Sequence, residues 1–133
     1  MTVLVCGSRT WDDPVIVHAA LSRLGFKAED QLVHGAARGA DTMAGQWAAA
    51  FGLKTIWAHP ADWARFGKSA GMKRNQEMLD AHPDIVLVVA FAANLPESRG
   101  TYGMVKLAQA RGIPVIHVRN MDDALAIGTH HEH

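Results

Sequence analysis

Val33 to Asp41, V-H-G-A-A-R-G-A-D, is the stretch whose reading decides the fold. A short run, Gln31 to Val33, feeds a glycine turn. A helical pattern then begins at once, with Arg38 and Asp41 in its first turn. Strand, glycine-containing turn and helix start, in that order, make the geometry in which backbone N–H groups and a helix dipole face an anion. The stretch therefore reads as half of a nucleotide or phosphate site. The other half is expected at Ser98-Arg99-Gly100-Thr101.

The same alternation continues on both sides. Thr2 to Cys6 is a continuous apolar run ending at Gly7-Ser8-Arg9, as expected of a strand buried on both faces. Asp12-Asp13-Pro14 supplies a cap and a first-turn proline for a helix whose apolar positions are Val15, Val17, Leu21 and Leu24, with Gly25 as its stop. The pattern predicts a strand over Asp30 to His34 and a helix over Arg38 to Phe51 with Met43, Trp47, Ala50 and Phe51 on its buried stripe. A third strand is expected over Lys54 to Ala58. A long loop follows from His59, then a helix from Ala70 to Ala81. Asp84 to Ala92 is the longest apolar run and the best central strand. A polar turn (Asn94 to Gly100), a helix (Thr101 to Arg111), a strand (Ile113 to Val118) and a short helix (Met121 to Ile127) complete the series. The chain is thus expected to be α/β, a Rossmann-like doubly wound parallel sheet of about five strands with helices on both faces. Residues 1–128 read as one domain and 129–133 as a loose tail.

Composition narrows the function. Apolar residues make up 49% and charged residues 20%, an ordinary globular balance. Lys and Arg number 13, as do Asp and Glu, so the formal net charge is zero. Such a chain lacks the basic footprint needed to wrap duplex nucleic acid, yet a few local cations suffice for a small anion. The single cysteine, Cys6, excludes a disulfide framework or a cysteine-rich metal cluster within the chain, and is read as a buried apolar residue. No basic leader and no apolar run of ~18 residues is visible, so the expectation is a cytoplasmic protein without a membrane span.

In a doubly wound sheet, ligands bind beyond the carboxyl ends of the strands. The glycines and polar residues of this chain gather there: Gly7-Ser8-Arg9, His34-Gly35, Arg38-Gly39, His59-Pro60 and Ser98 to Thr101. Gly35 and Gly39 either admit a ligand close to the backbone or serve turn geometry. Arg38 is either a phosphate fork or a solvated cation. Asp41 is either a helix cap or a ribose acceptor and general base. His34 and His59 lie at strand ends, where contact with a ligand is as open as a structural role. His18 and His117 read as structural, and His130, His131 and His133 as a tail cluster that holds no metal. Trp57 reads as core, whereas Trp11 and Trp63 stand beside the site and could stack on a base. Gly67-Lys68-Ser69 lacks the upstream glycine of a P-loop, and G-x-G-x-x-G does not occur.

Five ordered motifs carry a resemblance. G-S-R-T-W-D-D (Gly7 to Asp13), H-G-x-A-R-G-A-D (His34 to Asp41), H-P-A-D-W (His59 to Trp63), G-K-x-A-G-x-x-R-N (Gly67 to Asn75) and S-R-G-T (Ser98 to Thr101) resemble the YspA/cpYpsA-related family of the SLOG superfamily. The resemblance runs from Thr2 to about Val118. It implies a Rossmann-like domain of bacteria and phages that senses or processes a nucleotide or nucleotide-derived ligand, with no other cofactor. Homodimers are common among such relatives. The related Lonely-guy phosphoribohydrolases cleave the N-glycosidic bond of nucleoside monophosphates with a P-G-G-x-G-T-x-x-E turn and an upstream Arg. Arg74 looks like that Arg and Ser98 to Thr101 like that turn, but Met104 stands where the catalytic Glu would be. The resemblance thus implies ligand binding by Gly7, Ser8, Arg9, Lys68, Arg74, Asn75, Ser98, Arg99, Gly100 and Thr101, with His34, Gly35, Arg38 and Gly39 on the neighbouring wall. Any glycosidic hydrolysis must draw its acid or base from elsewhere, Asp41 or Glu77. Two alternatives to a nucleotide binder stay open: such a hydrolase, and an interaction module with a vestigial site.

Overall fold

The computed structural model describes residues 1–128; the expected tail, with His130, His131 and His133, lies outside them. Five strands, β1 (Thr2–Gly7), β2 (Gln31–His34), β3 (Thr55–Ala58), β4 (Ile85–Phe91) and β5 (Val115–Val118), form one parallel sheet in the order β3-β2-β1-β4-β5. The helices are α1 (Pro14–Ser22), α2 (Ala40–Phe51), α3 (Trp63–Phe66), α4 (Ala70–Ala81), α5 (Arg99–Ala110) and α6 (Met121–Ala126). This is the expected Rossmann-like α/β architecture.

Alternation along β1 divides the core in two. Val3 and Val5 face α1, α2 and α6, whereas Leu4 and Cys6 face α4 and α5. The first layer is filled by Val17, Leu21, Ala44 and Trp47, the second by Met78, Leu79, Met104 and Val105. Cys6 is buried, as expected, and burial pushes its thiol well above the ordinary range, with Asp41 nearby adding to the shift. Strand order reverses between β1 and β4. There the carbonyl of Phe91 accepts from the amide of Ser8 at 2.8 Å, fixing the two strand ends that border the crevice.

Several local expectations are corrected. α2 starts at Ala40 rather than Arg38, because Gly39 adopts φ 79° and ψ −127°, outside helical space. α5 starts earlier than expected, at Arg99, with Ser98 before it. The long loop after β3 contains α3 and a 3-10 turn at Gly67–Ser69. Val15, Ala50 and Phe51 are exposed, and Ala20, Ala44 and Ala48 take the buried positions instead. Trp57 is no core residue. β3 is an edge strand, where the exposed Trp57 ring meets His82 at the end of α4 (5.3 Å between ring centres) and its indole donates to Gln31 Oε1 at 2.8 Å. Among the described residues, no helix is long and apolar enough to cross a membrane.

Candidate functional site

Two strand-to-helix turns meet the crevice, and their hydrogen bonds differ. In the β2–α2 turn, Asp41 Oδ2 accepts from the amides of Gly35 (3.0 Å) and Ala37 (3.2 Å). The Ala36 amide donates to His34 Nδ1 (3.0 Å), and the Ala40 amide reaches the carbonyl of Ser8 at 3.5 Å. The anion in this cradle is therefore the chain's own carboxylate. Burial pushes Asp41 up to about 6, against the opposing pull of its two amide donors and of Arg74 and Arg9. Its Oδ1 has no hydrogen-bond partner among the described residues, and Asp41 lines the larger cleft.

The glycines of this turn make room for protein. A Cβ at Gly35 would lie 2.6 Å from Arg74 Nη1, and one at Gly39 would lie 2.4 Å from the Ser8 carbonyl. Arg74 fills the first space. Its Nη1 donates to the carbonyls of Gly35 and His59, and its Nε donates to Asn75 Oδ1 at 2.9 Å. Asn75, 3% exposed, passes the connection on by donating to the carbonyl of Gly100 at 3.2 Å. One chain of hydrogen bonds thus joins the two turns through α4. Partly buried polar links of this kind hold both ends in register.

The β4–α5 turn is open by contrast. The Tyr102 amide donates to the Ser98 carbonyl at 2.8 Å, and the Ser98 hydroxyl donates to Thr101 Oγ1 at 3.0 Å. The amides of Arg99, Gly100 and Thr101, the first of α5, have no acceptor among the described residues. Among the described residues, nothing stands within 4 Å of a Cβ placed on Gly100. Free N–H groups at the start of a twelve-residue helix, with its positive dipole end, suit an anion.

This turn borders a cleft of about 570 Å³, within the range of small-ligand sites. Gly7, Ser8 and Arg9 form one wall, Lys68, Arg74 and Asn75 a second, and Ser98 to Thr101 a third, so ten of the expected ligand residues come together. Four cations (Arg9, Lys68, Arg74, Arg99) face two carboxylates (Asp41, Glu97), which favours an anion. The Arg9 guanidinium lies 4.8 Å from the ring centre of Trp63, and Trp63 and Met72 give the cleft an apolar flank. Sequence reading missed Met72 and Glu97, since neither carries a motif signal of its own.

Four expected wall residues lie outside the cleft lining. His34 is buried beside Gly45 of α2, and burial lowers its pKa. Gly35 and Gly39 are occupied as above, and Arg38 is exposed. His59 pairs with His82, Nε2 to Nε2 at 2.8 Å, and His117 Nε2 pairs with the Ala92 carbonyl. Met104 is fully buried in the second core layer, so no carboxylate stands at that position of α5. Among the described residues, no group of three or more His, Cys, Asp or Glu side chains is arranged to hold a metal ion.

Comparison with known proteins agrees with the motifs. A model of the YspA, cpYpsA-related SLOG family matches residues 1–66. The gene 61 protein of Mycobacterium phage D29 is 42% identical over 123 residues, covering 86% of this chain and 94% of that protein. The chain belongs to the YspA, cpYpsA-related SLOG family.

Proposed function

We propose that residues 1–128 act as one cytoplasmic domain that binds a nucleotide or nucleotide-derived ligand in the larger cleft, with phosphate on the amides of Arg99, Gly100 and Thr101. The observation that carries this reading is the set of three amides at the start of α5 that have no acceptor among the described residues, beside a cation-rich cleft. Arg99 supplies charge, and Trp63 and Met72 offer a flat apolar flank for a base. Family membership supports a nucleotide-type ligand in general terms. Thermal shift against a panel of nucleoside mono- and diphosphates tests it, because a ligand bound to the folded state raises stability by mass action. A rise that Arg99→Ala abolishes is expected. A flat response to the whole panel favours an interaction module with a vestigial site.

A second reading rests on Asp41. A buried carboxyl with one unpaired oxygen at the cleft and a pKa raised to about 6 can hold or release a proton near neutrality. In this reading it serves as the acid or base for glycosidic hydrolysis of the bound nucleotide, in place of the missing Glu at Met104. Free base released from nucleoside monophosphates by the wild type but not by Asp41→Asn supports it. Intact nucleotide after prolonged incubation leaves a binder. Pairing of two copies is proposed from the family resemblance, and light scattering in solution reads it.

A further inference from the structure

The larger cleft has a neighbour. A second cleft, of about 460 Å³, opens on the α1 side of the same switch point, and the two share Ser8, Thr10, Glu97 and Ser98. These shared residues form a saddle on which the Ser8 and Thr10 hydroxyls lie 2.8 Å apart and the Ser98 hydroxyl turns to Thr101. The two sides of the saddle differ in charge. The larger cleft has its four cations, whereas the smaller has Asp12, Asp13 and Glu97 with a single cation, Arg119. That cation is already spent, since Arg119 Nε and Nη2 both donate to Asp123. Asp13 is used as well, because its Oδ1 caps α1 through the amides of Val15 and Ile16. The side chains of Asp12, Asn94 and Glu97 have no hydrogen-bond partner among the described residues and line the cleft together with Trp11, whose indole N–H donates to the Asp13 carbonyl.

A cleft of this composition repels a further phosphate. Its carboxylates and amide accept from hydroxyl groups, and an indole face suits the C–H face of a sugar ring. Resting on the nucleotide reading above, we propose that the ligand is a nucleoside diphosphate joined to a sugar. The base and first phosphate occupy the larger cleft, the diphosphate crosses the saddle at Ser8 and Ser98, and the sugar hydroxyls are held by Asp12 and Asn94. The smaller cleft is thus a sugar subsite, and it sets which nucleotides the protein distinguishes.

Isothermal titration of the full chain decides it. The probes are ADP, GDP, UDP and dTDP, each against its glucose conjugate, with ADP-ribose added to the adenine series. For the base that is accepted, the sugar conjugate is expected to bind tenfold or more tighter than the free diphosphate. The double variant Asp12→Asn/Asn94→Ala is expected to erase that advantage and to leave affinity for the free diphosphate unchanged. Equal affinity within each series overturns the sugar subsite and leaves the nucleotide reading standing. An advantage retained in the double variant overturns the assignment of the sugar to this cleft. Absence of binding in every series overturns both readings together.

Discussion

The β2–α2 turn and the β4–α5 turn both join a parallel strand to a helix at the carboxyl edge of the sheet, and both carry Arg and Gly at that junction. The first is closed by its own side chains: Asp41 and His34 take the amides, and Arg74 and the Ser8 carbonyl take the space beside its glycines. The second leaves the amides of Arg99, Gly100 and Thr101 without acceptors, and the space at Gly100 open, among the described residues. A glycine-rich turn before a helix is therefore not enough to mark an anion site. What separates the two is whether the chain places a carboxylate two residues into its own helix. Asp41 does this for α2, and the corresponding region of α5 offers Thr101 and Tyr102.

Substitutions at the two turns should part along that line, and the largest effect belongs to the closed turn. Gly39→Ala sets a side chain against the Ser8 carbonyl at φ +79°, and the expected loss is about 3 kcal/mol or more of folding stability. Chemical denaturation measures it, and an unchanged midpoint would break the comparison at its root.

Asp41 gives the next effect, in pH. Its carboxyl is raised in the folded state, from 3.8 to about 6, so the folded form binds the proton more tightly than the unfolded chain. The associated stability is fully present below pH 4 and is lost as pH rises through about 6, a change of about 3 kcal/mol at ~1.4 kcal/mol per unit. Asp41→Asn keeps an acceptor for the Gly35 and Ala37 amides and removes this slope. Denaturation midpoints taken at intervals from pH 4 to pH 7 read both proteins.

Function should respond at the open turn. Arg99→Ala is expected to weaken nucleotide binding by about 1.5–3 kcal/mol, roughly 10- to 150-fold, without loss of stability, since the side chain is exposed. Calorimetric titration gives the first quantity and a melting curve the second. The smallest effect separates the paired arginines. Arg38→Ala should change neither stability nor affinity by more than about 0.5 kcal/mol, because an exposed side chain outside both clefts has little to lose.

Much of this was readable in the sequence, and the reasons for the rest are physical. The strand–helix alternation and the motif at Ser98 to Thr101 are local patterns, so the sheet, its helices and the open turn followed from them. Trp57 was misplaced because edge position is a property of strand order, which no stretch of β3 encodes. Gly35 and Arg74 touch across 39 residues of chain, so the use of that glycine is visible only once α4 is folded against β2. Arg38 and Arg99 stand in similar local contexts. Their difference comes from which turn already holds a carboxylate. The second cleft was not foreseen at all, since its walls come from the ends of β1, β4 and β5.

The most direct test reads the backbone amides themselves. In a ¹⁵N–¹H spectrum titrated with a nucleoside diphosphate, the resonances of Arg99, Gly100 and Thr101 should move saturably while those of Gly35 and Ala37 stay with Asp41 and hardly shift. Saturable movement at Gly35 and Ala37 with a silent α5 start would contradict the assignment and return the phosphate to the β2–α2 turn.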